Sequence, residues 1–336
     1  MGEFELLARI RERLPANGPR IHLGSGDDAS ITVPGGATAT SVDALVDGVH
    51  FRRDLARPVQ IGHKALATAL SDLAAMGAAP GEAYVVIGIP PDLGEDDCIE
   101  LLDGMTALAT ATGTDLAGGD LSRADVLFLA ITVVGHASDP AAFVQRGGAQ
   151  VGDALVLTGA IGGAAAGLEL LNSHDSSADF ALKGPIGDLK AKSAMEALVE
   201  RQLKPKPRLL AGRGLARAGA TAMIDLSDGL GSDAGHLAER SGAGLRIDAE
   251  AVPLAPGSRE LMEALGRDPW KLLGAGEDYE LLATVPSERL EEATEVVRAE
   301  EGVALTPIGE VVAGSGVEIR LPGCRLLEPG GFDQLA

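Results

Sequence analysis

Apolar residues recur at helical spacing from the start of the chain, where Phe4, Leu7, Ile10 and Leu14 share one face, and the proline-bounded stretch 15–19 predicts the end of that helix. Short alternating runs follow, so residues 20–23, 30–33 and 37–42 are expected as strands, the last two joined across Pro34-Gly35-Gly36. Pro58 opens a long helix to Gly77 in which Ile61, Ala65, Leu66, Ala69, Leu70, Leu73 and Met76 fill much of the surface. A strand over 83–89, a helix over 95–112 closed by Gly113, and a strand over 126–134 complete a first α+β domain.

The segment 136–148 reads as the boundary, giving domains 1–138 and 139–336. Beyond it a strand over 154–158 runs into the glycine turn 159–163 and an alanine-rich helix to Leu171. That turn matches neither a Walker motif nor Gly-x-Gly-x-x-Gly; a closely packed strand-to-helix turn is favoured over a phosphate contact. Residues 172–185 read as a surface loop, and Arg201, Lys204, Lys206 and Arg208 as a solvated turn ahead of another helix. A strand over 221–224 delivers Asp225, and Ser227-Asp228-Gly229 begins a helix to Arg240. Strands over 245–248, 279–285, 303–308 and 317–321 and helices over 258–265 and 287–300 finish the pattern. The expected fold is α+β, of the α/β sandwich type: an amino-terminal domain with a mixed sheet and a carboxy-terminal α/β domain.

Composition sharpens this picture. With 336 residues, two cores are the natural expectation, and 46% hydrophobic but only 3% aromatic residues means cores of Ala, Val, Leu and Ile. The 49 acidic against 28 basic residues give a net charge of −21, which argues against nucleic acid or an anionic membrane as partner and favours divalent cations. Cys98 and Cys324 support neither a disulfide framework nor a thiolate metal site, so a reducing cytoplasmic setting is expected. The amino terminus shows no basic n-region or apolar h-region. The most apolar stretch, 154–171, is broken by four glycines, Thr158 and Glu169, and falls short of a span of about 20 residues.

The candidate chemistry lies in aspartates: Gly26-Asp27-Asp28, Ser41-Val42-Asp43, Ser71-Asp72, Gly118-Gly119-Asp120 and Asp225-Leu226-Ser227-Asp228. Carboxylates beside Gly or Ser suit the all-oxygen shell of Mg2+, although the same pairings are ordinary turn and cap chemistry. Two carboxylates about 4 Å apart repel by roughly 4 kcal/mol at an effective dielectric near 20, so convergent aspartates call for cations. Asp72 near the carboxy-terminal end of an apolar helix opposes the helix dipole; either it meets a cation or it points to solvent from the polar edge. Asp225 at a strand end and Asp228 at a helix start occupy positions where a metal and a phosphate can be held together.

Taken in order, these pieces resemble the thiamine-monophosphate kinase family, of the aminoimidazole-ribonucleotide-synthetase-like ATP-binding superfamily. The resemblance rests on Gly2-Glu3-Phe4, Gly24-Ser25-Gly26-Asp27-Asp28, Asp43 with His50-Phe51, Lys64 to Ala67, Ser71 to Ala78, Gly118-Gly119-Asp120, Thr158-Gly159, Pro207-Arg208, Ile224 to Leu230 and Gly276 to Leu282. It implies direct ATP-dependent phosphorylation of the phosphate of thiamine monophosphate, giving thiamine diphosphate. It further implies Asp28, Ser41, Val42 through its backbone, Asp43, Asp72, Asp120, Asp225 and Asp228 as Mg2+ ligands, with Asp28, Asp43, Asp72 and Asp225 at the reacting phosphates. Gly119, Asp120, Arg146 and Ser227 are implied ATP contacts, and His50, Glu277 and Phe332 substrate contacts. The family also implies a homodimer formed through the amino-terminal domains. Departures are Val42 for Thr, Leu121 after Gly-Gly-Asp, Thr112 where an aromatic often stacks on adenine, and Ala275 for Gly.

The acceptor phosphate, with a second pKa near 6, needs no strong base, so the absence of a Ser-His-Asp arrangement is no obstacle. Read alone, His50 is as compatible with a structural role, Glu277 with a cap, Phe332 with a core plug and Arg146 with a boundary ion pair. An aminoimidazole-ribonucleotide-synthetase-type ligase is the alternative within the superfamily. A non-catalytic acidic protein that binds cations or nucleotide would explain the charge but not the spacing around Asp72 and Asp225.

Overall fold

The computed structural model describes residues 3–14, 17–24, 29–173, 189–324, 326–327 and 330. The chain divides into two compact units, Met1–Leu73 with Ala78–Ala142, and Ala74–Gly77 with Phe143–Ala336.

The first unit opens with helix α1 (Glu3–Arg13), whose Arg9 and Arg13 pair with Glu95, Asp96 and Asp103. A short antiparallel pair, β1 (Ile21–Leu23) and β2 (Ile31–Thr32), precedes the main sheet. That sheet holds β3 (Ala37–Val46), β4 (Ala79–Ile89), β5 (Asp115–Arg123) and β6 (Phe128–Ala137) in the order β3-β6-β4-β5. β4 and β5 are parallel and the other pairings antiparallel, the mixed sheet that the sequence led us to expect.

Helices α2 (Pro58–Ala75) and α3 (Glu95–Thr112) supply the rest of the core, with Leu66, Leu70, Leu101 and Met105 fully buried. Glycine makes their crossing close. A Cβ at Gly62 would lie 1.9 Å from the Leu101 carbonyl oxygen, and one at Gly104 would lie 1.9 Å from that of Val59. β5 was not expected from the sequence, because Gly118-Gly119 has little strand propensity. Its pairing with β4 supplies the order instead, and Gly119 admits an approach in which a Cβ would sit 2.0 Å from the Val85 carbonyl oxygen.

The second unit is built on a seven-stranded sheet: β7 (Ala154–Thr158), β8 (Ala222–Asp225), β9 (Gly244–Asp248), β10 (Leu281–Val285), β11 (Leu305–Val312), β12 (Gly316–Arg320) and β13 (Leu326–Leu327). Their order is β13-β12-β9-β11-β7-β10-β8, antiparallel except for β12 beside β9. Helix α4 (Gly163–Asn172) packs along α5 (Leu189–Leu203), and α6 (Leu209–Arg217) packs along α9 (Leu290–Glu301). Helix α7 (Leu230–Ser241) covers β8 and β12 and buries Leu230, Ala234 and Leu237, while α8 (Ser258–Ala264) packs near α4.

The expected loop at 172–185 begins one residue later than anticipated, since α4 runs through Asn172; most of it falls outside the described residues. The solvated turn expected around Arg201 and Arg208 needs a larger correction. Arg201 lies on α5, and the Arg208 side chain is only 12% exposed, drawn inward by Glu280. Among the described residues no helix is long and apolar enough to cross a membrane.

Candidate active site

In the first unit, β3 alternates along its length, so Ser41 and Asp43 point to one face and Val42, 65% exposed, to the other. Asp72 lies on α2, and the Ser41 hydroxyl donates to its carboxylate. Asp72 therefore faces the sheet rather than the open helix edge. Asp43 is pushed up to about 6, first by burial and then by the Asp72 carboxylate. Two acidic groups and a hydroxyl are thus held together by the strand alternation and the helix above it.

His50 follows β3 in a tight bend. Its Nδ1 accepts from the Val46 N–H at 3.1 Å, and its carbonyl accepts from Lys64 Nζ at 3.1 Å. With Nδ1 occupied as an acceptor, the ring proton belongs on Nε2. Lys64, itself 3% exposed, anchors the bend from α2.

Gly119 and Asp120 lie on the far edge strand. The register Asp43↔Ile131, Ile131↔Val85, Val85↔Gly119 sets Gly119 three strand spacings from Asp43, roughly 14 Å at about 4.8 Å each. Asp120 is exposed and accepts from the Ser122 hydroxyl at 3.2 Å. Within this unit it does not join Asp43 and Asp72.

In the second unit, β8 ends at Asp225, 4% exposed, and the bend Leu226–Gly229 leads into α7. Asp233, unremarked in the sequence, organises this bend: its Oδ2 accepts from the N–H groups of Asp228 and Gly229, each at 3.1 Å. It is pushed up to about 7 by burial and then by Asp225. Asp228 is raised by burial, with His236 and Arg146 opposing the shift, so exposed Arg146 lies within electrostatic reach of it.

The segment Gly276 to Glu280 is strapped to this bend. Glu277 N–H donates to the Ser227 carbonyl at 2.8 Å, Tyr279 N–H to that of Leu226 at 2.9 Å, and Leu226 N–H to that of Glu280 at 2.8 Å. Only a glycine fits at 276, where a Cβ would lie 2.2 Å from the Ser227 oxygen. Glu277 and Tyr279 both have positive φ, 67° and 50°, a conformation L side chains rarely adopt and one associated with functional sites.

These two turns aim Asp278 away from Glu277. Its carboxylate accepts from the N–H groups of Gly162 at 2.7 Å, Gly163 at 3.1 Å and Ala164 at 3.3 Å. Some of the residue reaches solvent, but its carboxyl is enclosed, and burial pushes it up to about 7 against those hydrogen bonds. The glycine turn before α4 therefore carries an anion from its own chain, in keeping with the packed-turn reading over the phosphate contact.

Ser41, Asp43 and Asp72 are thus neighbours in one unit, with His50 in the bend that follows β3, and Arg146, Asp225, Ser227, Asp228 and Glu277 are brought together in the other. Asp28 and Phe332 lie outside the described residues. Among the described residues no three His, Cys, Asp or Glu side chains form a ready metal cage. Mg2+ is commonly held by one or two carboxylates, with waters and substrate phosphates completing its shell. The pair Asp43–Asp72 with the Ser41 hydroxyl fits such an ion, and so does Asp225 beside Asp228.

The fold places the chain among the AIR synthase related proteins: the model of their N-terminal domain matches residues 26–137 and that of their C-terminal domain residues 150–322. Among curated proteins, thiamine-monophosphate kinase of Escherichia coli (strain K12) is 38% identical over 315 residues, covering 93% of this chain and 91% of that one. The enzyme of that name from Mycobacterium tuberculosis (strain ATCC 25618 / H37Rv) is 37% identical over 290 residues, covering 84% and 80%. The crystal structure of thiamine-monophosphate kinase from Stenotrophomonas maltophilia K279a superposes with a TM-score of 0.81 at 35% identity, covering 95% of this chain and 96% of that one. A structure of AaThiL complexed with AMPPCP and TMP gives 0.74 at 28% identity, covering 98% and 96%. The chain belongs to the thiamine-monophosphate kinase family.

Proposed function

We propose that this protein transfers the γ-phosphoryl group of ATP to the phosphate of thiamine monophosphate, yielding thiamine diphosphate and ADP. The observation that carries the chemistry is the half-buried Asp43–Asp72 pair, held with the Ser41 hydroxyl and with Asp43 pushed up to about 6. Such a pair is stabilised by a cation, and the cation most useful for joining two anionic phosphates is Mg2+. When bound, Mg2+ would supply the positive charge that offsets the mutual repulsion of the two phosphates. The substrate class follows from the relatives, whose names specify thiamine monophosphate.

The residues take these roles. Asp28, Ser41, the Val42 backbone, Asp43, Asp72, Asp120, Asp225 and Asp228 hold Mg2+. Gly119, Arg146 and Ser227 contact ATP, the exposed Arg146 guanidinium suiting a phosphate. His50 presents its Nε2–H to the substrate, and Glu277 and Phe332 meet its organic part. The acceptor phosphate is largely dianionic at neutral pH and attacks without a protein base.

The enzyme works as a cytoplasmic homodimer. Val42, 65% exposed on edge strand β3, and Val86, 36% exposed on β4, belong to the sheet face that a second copy would cover. Asp120, set across the sheet from Asp43, then has another chain within which to act. The test is purified protein with ATP, Mg2+ and thiamine monophosphate, scored for thiamine diphosphate. Thiamine diphosphate is expected; its absence with metal present, alongside product from aminoimidazole precursors, overturns the proposal.

A further inference from the structure

The bend between β8 and α7 is gripped from two sides. From the strap, the N–H groups of Glu277 and Tyr279 take the carbonyls of Ser227 and Leu226 at 2.8 and 2.9 Å. From the helix, Asp233 takes the N–H groups: its Oδ2 accepts from Asp228 and from Gly229, each at 3.1 Å, and its own N–H donates to the Gly229 carbonyl at 3.0 Å. Side chains on a helix tilt toward its amino terminus, so a carboxylate in the opening stretch of α7 reaches back past the helix start.

Gly229 most needs this hold. Its φ is 109° and ψ 151°, and a Cβ there would lie 2.6 Å from the Gly274 carbonyl oxygen, so the position requires glycine, the residue with the most backbone freedom to lose. Asp233 closes on it in both directions, as acceptor from its N–H and as donor to its carbonyl. Asp233 is 2% exposed, whereas Ser227 and Asp228 are half-buried. The two side chains of the bend therefore reach solvent, while the carboxylate that holds their backbone does not.

We infer that Asp233 is a positioning residue for the nucleotide. By fixing the backbone of Asp228 and Gly229 it presets the Ser227 hydroxyl and the Asp228 carboxylate for a triphosphate carrying Mg2+. The inference rests on the reading that Ser227 contacts ATP and Asp228 holds Mg2+.

The test is calorimetric binding of AMPPCP with Mg2+, and of thiamine monophosphate alone, to wild type, Asp233→Leu and Asp233→Asn, with steady-state kinetics alongside. Leu keeps the volume and has no acceptor; Asn keeps an oxygen for both N–H groups. In Asp233→Leu only a fraction of molecules hold the bend in its binding geometry. Loss of hydrogen bonds to a charged group sets that fraction near one tenth, so Kd for AMPPCP and KM for ATP rise about tenfold. Kd for thiamine monophosphate stays at the wild-type value, because the strap that carries Glu277 keeps its own bonds to Leu226 and Ser227. Asp233→Asn recovers most of the lost AMPPCP affinity. If Asp233→Leu does not fold, Asp233→Ser, whose hydroxyl stops one atom short of the carboxylate oxygens, replaces it with the same expectation. Wild-type affinity for AMPPCP without the acceptor, equal losses for both ligands, or no recovery in Asp233→Asn overturns the inference. A selective loss of AMPPCP affinity in a protein that forms no thiamine diphosphate sinks the proposed reaction and keeps the inference; no binding of AMPPCP by wild type overturns it.

Discussion

Arg208 holds Glu280 in a two-pronged ion pair, Nε to Oε2 at 2.7 Å and Nη2 to Oε1 at 2.6 Å, with Thr158 Oγ1 donating to the same Oε2 at 2.8 Å. Glu280 has no exposed surface, so removing Arg208 strands a buried charge. Arg208→Met is expected to lose about 3–5 kcal/mol of stability in urea unfolding, and adding Glu280→Gln should recover much of it. A single variant within about 1 kcal/mol of wild type refutes this account of the pair.

Asp43 gives the metal-free protein a pH dependence of definite sign. Its folded pKa of about 6 lies above the ordinary aspartate value of 3.8, so the folded state binds the proton more tightly. That contribution to stability is present at low pH and is lost as pH rises through the window between those two values. In chelator, Asp43→Asn should therefore melt higher than wild type at pH 7.5, but not at pH 3.5. Adding Mg2+ should reverse the order at pH 7.5 while the variant stays inactive. Lower stability of Asp43→Asn in chelator at pH 7.5 contradicts the repulsion argument.

Much of the scaffold was legible in the chain because local patterns determine it. The apolar spacing from Pro58 announces α2, and Glu95 to Gly113 announces α3 and its left-handed cap at Gly113, φ 73°. What escaped depends on partners distant in sequence. Arg208 looked solvated because Glu280 lies 72 residues away, and the carboxylate that fills the turn before α4 was not legible because Asp278 lies 116 residues from Gly162. Asp233 carries no motif of its own; it acts by holding a bend. β5 hid behind Gly118-Gly119, of which Gly119 makes sense only against the Val85 carbonyl.

Asp278 supplies the next test, because it fills a helix amino terminus that would otherwise attract anions. Asp278→Ala frees the N–H groups of Gly162, Gly163 and Ala164 and should cost about 1–2 kcal/mol, as loss of a cap does. Sulfate should then raise the melting temperature of Asp278→Ala by more than that of wild type, through mass action on the opened turn. Equal sulfate responses would show that the turn holds no latent anion site.

The crossing of α2 and α3 links packing to chemistry. Gly62 and Gly104 each face a carbonyl of the other helix so closely that a Cβ would lie 1.9 Å from it. Gly104→Ala must push the helices apart and should lose about 1–3 kcal/mol, the usual range for an overpacked core. Asp72 rides on α2 while Ser41 and Asp43 sit on β3, so the same displacement should lower kcat with thiamine monophosphate beyond what the unfolded fraction explains. Gly62→Ala strains the same interface, and once the helices have separated for one methyl group the second meets less resistance. The double variant should therefore cost less than the sum of the single ones. Additive losses in urea unfolding, with kcat unchanged in the folded fraction, would mean that the two glycines act separately and that Asp72 is held independently of the crossing.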